Sequence, residues 1–306
     1  MKSDRASAPS SRLPTFAMLG AVLLWSSATP ASKLALLELP AGLFVVMRLS
    51  LAAVSLWAIV LVVRPDVRLR TVGWRPLVMG LLEPGLVTLL VSIGLALTSP
   101  VSGAVFWSLM PLLMPVLGRV TLGERIEGLA VVAAAIAFGG AMLLAWGQGR
   151  HGGGNILGDL LVATGVLASA FNSLIARRNA QAGANPLATA SWQVTVASCL
   201  VILLLPLLPA KGQGLSEATP HALGALIYLG VVVSVGVYIL SNFAYRHLPV
   251  AYTSLLGCLT APFGALLSHF LLGTTITALD IFAIFIVIVA VALPTLVALR
   301  RSTAVT

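Results

Sequence analysis

The sequence has few charged residues, and acidic residues are the scarcest. Only 9% of its 306 residues are charged, with nine Asp or Glu against 18 Lys or Arg. An ordinary soluble domain carries about 25% charged residues, because its surface has to face water. Since 59% of this chain is apolar, it cannot cover a soluble core with polar side chains. The composition therefore excludes a soluble enzyme, a disordered protein and a nucleic-acid-binding protein.

Cysteines and catalytic motifs are scarce as well. Cys199 and Cys258 both lie in apolar runs, which favours small buried thiols over a disulfide. The sequence contains no P-loop, H-E-x-x-H or G-x-S-x-G motif. Residues 147–152 fit G-x-G-x-x-G, but they join two apolar runs and follow no strand, so a dinucleotide site is not indicated. We therefore expect no enzyme activity, no cofactor and no metal site.

Long apolar runs dominate what is present, and the mean hydropathy is +1.05. A helix of about 20 apolar residues spans the ~30 Å hydrocarbon core of a bilayer. The runs predict an all-α integral membrane protein with ten transmembrane helices. Their spans are 13–32, 40–63, 75–97, 99–119, 127–146, 156–177, 186–208, 221–244, 249–272 and 276–299.

The two halves of the chain resemble one another. Residues 15–60 resemble 160–205, with Gly20 matching Gly165, and residues 100–145 resemble 249–295, with Gly123 matching Gly273. Each half holds five predicted helices, so the second half enters the membrane from the side opposite to the first. This pattern predicts two inverted five-helix repeats, an arrangement common in secondary transporters.

The predicted organisation has five parts. The two repeats occupy residues 13–146 and 156–299, and a loop at residues 147–155 links them. Tails at residues 1–12 and 300–306 flank the repeats.

The distribution of cations predicts the orientation. If both termini are cytoplasmic, 14 of the 18 Lys and Arg lie in inner segments, and only Lys33, Arg150 and Lys211 lie in outer ones. Arg48 remains inside a helix. Because cytoplasmic segments of membrane proteins are enriched in Lys and Arg, we expect a multi-pass protein of the bacterial inner membrane with both termini in the cytoplasm.

Two ionisable residues lie deep inside apolar runs, where charges are costly and often functional. Glu83, next to Pro84-Gly85, is either a site for a substrate amine or a proton at a helix break, or a protonated side chain that hydrogen-bonds a neighbouring helix. Arg48 could bind a substrate carboxylate, but a snorkelling side chain or a fixed ion pair is the structural alternative. Arg48 is also a plausible partner for Glu83, although helical rise separates their depths by about 9 Å.

An aromatic and sulfur-rich stripe marks the fourth run. Gly103, Trp107, Met110 and Met114 recur on one helical face. Trp107 lies mid-helix, away from the interfaces where Trp usually anchors. The stripe is either core packing or the apolar wall of a substrate site, for which Trp107 and Met110 are our candidates.

The second half contributes four polar candidates. Asn172 and Gln193 either join helices by hydrogen bonds or contact substrate. Tyr238 and Asn242 share a face of the eighth predicted helix with Tyr245.

Prolines inside spans free backbone groups that are tolerated beside a wet cavity. Four of them therefore point to a pathway: Pro84, Pro111, Pro115 and Pro262.

Several motifs resemble the EamA family of the drug/metabolite transporter superfamily. They are Leu24-Trp25-Ser26-Ser27 with Pro30 and Lys33, then Arg48, and Leu122-Gly123-Glu124 after the fourth run. The second repeat departs from the pattern, since Leu272-Gly273-Thr274 lacks the Glu. The resemblance implies proton-coupled or facilitated movement of metabolites, often export. Among family members the chain is most similar to amino-acid exporters, including aromatic amino-acid exporters of the YddG type.

We therefore expect a secondary transporter that exports small metabolites, chiefly apolar or aromatic amino acids, by alternating access through a central cavity. The expected partners are a small-molecule substrate, the lipid bilayer and protons, with no nucleic acid, in a monomer or weak homodimer. A drug, sugar or nucleotide-sugar cargo is the first alternative, although a phosphate cargo would need more cavity cations than Arg48. A membrane-embedded enzyme or scaffold is the second.

Overall fold

The computed structural model describes residues 13–98, 106–126, 128–148, 155–207, 218–273 and 275–303, which form helices and short turns without a strand among them. The helices are α1 (Leu13–Leu36), α2 (Ala41–Val63), α3 (Leu69–Val72), α4 (Arg75–Gly80), α5 (Val87–Leu97), α6 (Met110–Leu122), α7 (Gly128–Gln148), α8 (Ile156–Gln181), α9 (Pro186–Leu204), α10 (Pro220–Ile227), α11 (Val235–His247), α12 (Val250–Gly257), α13 (Thr260–Leu272) and α14 (Ala278–Thr303). Two π-helical turns, Leu81–Leu86 and Tyr228–Ser234, join α4 to α5 and α10 to α11.

Six helical stretches are long and apolar enough to cross a membrane: Leu13–Leu36, Ala41–Val63, Ile156–Gln181, Pro186–Leu204, Pro220–His247 and Val250–Leu271. Three shorter apolar helices cover Met110–Leu122, Gly128–Leu143 and Ala278–Pro294. The chain is therefore a helical, multi-pass membrane protein, while the ten crossings stay a prediction. The predicted tail at residues 1–12, residues 149–154 of the linking loop and residues 304–306 lie outside the described residues.

Local sequence explains where several helices begin and end. The side chains of Asn155 and Asn185 accept hydrogen bonds from backbone N–H groups in the first turns of α8 and α9, and Thr219 does the same for α10. These side chains satisfy N–H groups that have no partner within the helix. Gly123 and Gly273 follow α6 and α13 in the left-handed conformation, which glycine adopts without strain and which ends a helix.

Helices from the two halves of the sequence pack against one another. The pairs α1 with α11, α5 with α8, α2 with α9, and α7 with α14 are in extensive contact. Within lipid, helices associate through close packing rather than apolar burial. Gly80 of α4 illustrates this, because a Cβ atom there would collide with the backbone oxygen of Gln193. This close approach brings the first π turn against α9.

The first π turn contains a break in the helix. Glu83 has φ −141° and ψ 124°, which are extended rather than helical angles. Pro84 accounts for this, since proline disfavours helical angles in the residue before it and has no N–H to donate. The predicted break at Glu83-Pro84-Gly85 is therefore present, and it points the Glu83 backbone oxygen out of the regular helical hydrogen-bond pattern.

Candidate functional site

A cavity of about 1020 Å³ lies among the helices. Small-molecule sites usually enclose about 300–1,000 Å³, so this cavity can hold a metabolite. It is lined by all eight residues that the sequence analysis selects: Arg48, Glu83, Trp107, Met110, Asn172, Gln193, Tyr238 and Asn242. The fold thus gathers them from separate helices around a single space.

The Glu83 carboxylate is held from one side by α8. Ser169 Oγ donates to Glu83 Oε2 at 2.7 Å, and Asn172 Nδ2 donates to the same oxygen at 3.2 Å. Glu83 is 8% exposed. No side chain in the described ranges donates to Oε1, the second oxygen. Ser169 and Asn172 therefore hold one carboxyl oxygen and leave the other without a donor from these ranges.

A second set of polar contacts holds the backbone at the break. Gln193 Nε2 donates to the Glu83 backbone oxygen at 2.9 Å, and Asn242 Nδ2 donates to Gln193 Oε1 at 3.3 Å. All three residues are buried. Because a buried polar group without a partner is costly, this chain of bonds fixes the position of the break relative to α9 and α11. Both interpretations of the Glu83 side chain, a substrate or proton site and a helix-joining group, stay predictions.

Arg48 lies in the cavity wall but does not pair with Glu83. Its Nε donates to Ser234 Oγ in the second π turn at 3.2 Å. The one ion pair in the described part of the chain joins two other residues. Arg48, which the sequence leaves as a plausible partner of Glu83, therefore forms no ion pair with it and bonds to Ser234 instead.

The apolar wall of the cavity comes from α6 and the turn before it. Trp107, Met110 and Met114 line the space together, while Gly103 of the predicted stripe lies outside the described residues. Trp107 is 37% exposed, so its indole is not simply core packing.

Pro84 and Pro111 line the cavity, but the rings of Pro115 and Pro262 are buried elsewhere. A proline frees the backbone oxygen of the residue four positions before it, and for Pro115 and Pro262 those residues, Pro111 and Cys258, line the cavity.

A set of polar contacts lies beyond Tyr245 and Val250, at the end of the cavity that we call the Tyr245 end. Arg177 Nε lies 3.0 Å from Glu124 Oε1, and Arg177 Nη1 donates to the Tyr245 backbone oxygen at 2.6 Å. Glu124 Oε2 accepts from the Val250 backbone N–H at 3.1 Å. Arg178 Nη2 also donates to the Thr121 backbone oxygen. These bonds connect the ends of α6, α8 and α11 with the start of α12.

The opposite end, which we call the Asp280 end, reaches the protein surface. The exposed residues Lys33 and Thr275 line the cavity there, next to the buried Asp280. Sequence reasoning missed Ser169 and Asp280. A lone Ser in a helix carries no distinguishing pattern, but Thr277-x-x-Asp280 is a readable helix-start motif. No group of three His, Cys, Asp or Glu within the ranges that the structure covers could hold a metal ion.

Comparison with known proteins gives three findings. The EamA-like transporter family matches residues 13–146 and 156–296. An "Uncharacterized transporter YyaM" of Bacillus subtilis (strain 168) is 28% identical over 203 residues, and this match covers 65% of the chain and 65% of the relative's length. A solved structure described as "Crystal structure of protein" has a TM-score of 0.80 at 20% identity, covering 94% of this chain and 98% of the other. At this identity the likeness shows the fold alone.

Proposed function

Because the chain belongs to the EamA-like transporter family, we propose that it is a secondary transporter that exports small metabolites, chiefly amino acids with apolar or aromatic side chains. The observation that carries the proposal is the Glu83 carboxylate, which lines the cavity at a broken helix with one oxygen free of hydrogen bonds from the described residues. Broken helices in transporters offer unpaired backbone groups and charge to a substrate near the bilayer midplane.

A substrate ammonium group matches the chemistry around Glu83. An ammonium ion offers three donors and a positive charge, while Glu83 Oε1 and Asn172 Oδ1 are acceptors without partners among the described residues. Charge-assisted hydrogen bonds of this kind are the stronger ones in proteins. The ammonium group of an amino acid would therefore bind between the first π turn and α8.

The remaining parts of an amino acid have partners on the other walls. Arg48 is the cavity cation nearest to the second π turn and would bind the substrate carboxylate, with the Tyr238 hydroxyl close by. Trp107, Met110 and Met114 would contact the substrate side chain. Met adapts its shape and Trp offers a large apolar face, so a range of apolar and aromatic side chains would be accepted.

A phosphorylated cargo is the weaker alternative. Several Arg or Lys side chains usually neutralise a phosphate group, whereas the cations that line this cavity are Arg48 and, at its surface end, Lys33. The deep carboxylate of Glu83 would also repel an anion. An uncharged drug or a sugar could donate hydrogen bonds to these oxygens, but it would bring no positive charge to the Glu83 carboxylate.

We further propose ten membrane crossings in two inverted repeats. Features that recur at a separation of about 150 residues support this, namely the two π turns and the left-handed glycines Gly123 and Gly273. The packing supports it as well. If the halves are exchanged, the contact of α1 with α11 becomes the contact of α8 with α5, and the pairs α2–α9 and α7–α14 are unchanged.

The two ends of the cavity suggest how access alternates. The Tyr245 end carries the Glu124–Arg177 pair, whereas the matching tripeptide of the second repeat has Thr274 in place of Glu124. Arg125, Arg178 and Arg246 belong to the Tyr245 end, which the positive-inside rule assigns to the cytoplasm. The described state would then be closed to the cytoplasm and open to the opposite side. Export requires the pair to separate so that substrate can enter from the cytoplasm.

Reconstitution of the purified protein in liposomes tests the proposed function. Liposomes preloaded with radiolabelled phenylalanine or leucine should release either amino acid faster than protein-free liposomes. Phosphorylated sugars should not be released faster. If phosphorylated or polycationic compounds cross and no amino acid does, the proposed substrate class is wrong.

A further inference from the structure

The cavity contains polar atoms that lack partners, and they share one chemical character. In the part of the chain that the structure covers, two buried side-chain atoms have no hydrogen-bond partner, namely Asn172 Oδ1 and Asp280 Oδ1. Both residues line the cavity, and both atoms are acceptors. A buried acceptor without a donor carries a desolvation cost. The natural complement of both atoms is therefore a ligand that brings hydrogen-bond donors.

Asp280 is built into the start of α14. Its Oδ2 accepts from both the backbone N–H and the hydroxyl of Thr277, each at 2.8 Å, and its own N–H donates to the Thr277 hydroxyl at 3.2 Å. These reciprocal bonds form a capping box, which uses one carboxylate oxygen. The side chain is held in place with Oδ1 left over, and Asp280 is only 4% exposed.

No ion pair to this carboxylate is formed by a cation among the described residues. Lys33 lines the same end of the cavity, but the ion pair within the described ranges joins Arg177 to Glu124 and does not involve Asp280. A buried carboxylate is expensive unless it is paired or coordinates a cation. Asp280 is therefore suited to bind a cationic ligand that enters the cavity.

We propose that Asp280 forms a second binding site for the ammonium group of a primary amine, at the surface end of the cavity. This inference rests on the proposed function, in which the first ammonium site is Glu83. Glu83 lies 14 residues before Leu97, the last residue of α5, and Asp280 lies in the first turn of α14. In the predicted topology these two helix ends are on the same side of the membrane, so at 1.5 Å per helical residue the carboxylates lie roughly 20 Å apart in depth. One ammonium group cannot contact both, so at saturation each site holds its own molecule. A substrate leaving Glu83 would thus meet a second carboxylate before it reaches solvent.

Equilibrium dialysis of the full-length purified protein with radiolabelled phenethylamine tests the second site. Phenethylamine has the ammonium group and apolar body of phenylalanine but no carboxylate. The wild-type protein should bind two molecules at saturation, and Asp280→Asn and Glu83→Gln should each bind one. Unlabelled phenylalanine should compete, whereas 3-phenylpropionate, which lacks the ammonium group, should not.

Two controls separate charge from structure. Asp280→Asn keeps an oxygen that can accept from Thr277, so α14 should still form. Thr277→Val removes the capping hydroxyl but leaves the Asp280 charge, and it should still bind two molecules. Asp66→Asn removes an exposed carboxylate outside the cavity and should also bind two. If Thr277→Val loses the same molecule as Asp280→Asn, Asp280 acts only through the helix start.

The outcomes distinguish this inference from the proposed function. A single molecule bound to the wild-type protein and lost in Glu83→Gln would overturn the Asp280 site and leave the Glu83 site intact. Two molecules bound to Asp280→Asn would do the same. A wild-type protein that binds neither phenethylamine nor phenylalanine would overturn the substrate class together with the second site.

Discussion

The Glu124–Arg177 pair should control which end of the cavity is open. The two side chains are only 14% and 11% exposed, and Glu124→Gln removes the charge while it keeps a similar shape. Removing one partner of a buried pair costs about 3–5 kcal/mol. Because these groups are partly exposed and Gln can still accept a hydrogen bond, we take a smaller cost: Glu124→Gln should destabilise the closed state by about 2 kcal/mol. In the state open at the Tyr245 end both side chains are hydrated, so the same substitution should change the free energy of that state little.

This cost converts directly into a population shift. Every 1.4 kcal/mol changes an equilibrium constant tenfold, so about 2 kcal/mol shifts the equilibrium toward opening at the Tyr245 end by about 30-fold. Cys258 is a native reporter because it lines the cavity, while the exposed Cys199 is removed by Cys199→Ala. A membrane-impermeant thiol reagent, added from the Tyr245 side, should label Cys258 up to about 30-fold faster in Glu124→Gln than in the parent.

Labelling from the Asp280 side provides the internal comparison, since it should already be fast in the parent and slower in the variant. Arg246→Gln removes an exposed cation from the same end without a described ion pair and should leave both rates unchanged. Arg177→Gln should reproduce the effect of Glu124→Gln. Labelling rates equal to the parent in both variants would refute the assignment of this pair as a closure.

Three further predictions follow from single contacts. Gly80→Ala should destabilise the protein by about 1–3 kcal/mol, because the added Cβ would collide with the Gln193 backbone oxygen. The measurement is a lower melting temperature. Gly139→Ala is the control and should be neutral, because a Cβ there meets no atom within 4 Å. Trp107→Ala should slow transport of phenylalanine more than transport of alanine in liposome assays, because it removes part of the apolar wall. The Thr219 N–H and hydroxyl lower the pKa of Glu38 from its ordinary 4.5. The melting temperatures of wild type and Glu38→Gln should therefore differ at neutral pH and converge as the pH falls through that lowered pKa.

The sequence was sufficient to predict an all-helical membrane protein and a set of residues that line one cavity. Continuous apolar runs leave few structures other than helices, and Pro84 marks the break at Glu83. Polar residues inside apolar runs are so costly that selecting them found residues that share one cavity. These inferences depend on properties that are local to each run.

Partners across helices could not be predicted in the same way. Arg48 is a plausible partner of Glu83 from the sequence, but it donates to Ser234 of the second π turn, and no pattern in the sequence indicates that contact. Arg177 was counted only as a cytoplasmic cation, and its pairing with Glu124 depends on how α6 and α8 pack. Ser169 looked like any other small residue until the fold placed it beside Glu83.

The most direct test of the account is the selectivity of Glu83→Gln. The amide is nearly isosteric with the carboxylic acid, so monodisperse protein is expected, but the charge that attracts an ammonium group is lost. A hydrogen bond to a charged group contributes about 1.5–3 kcal/mol, which is about 10- to 100-fold in binding. Phenylalanine transport by the variant in liposomes, measured at several pH values, should fall by that factor, and Asp66→Asn should match the wild type. Wild-type phenylalanine rates in Glu83→Gln at every pH would contradict the account and leave the carboxylate a structural link between helices.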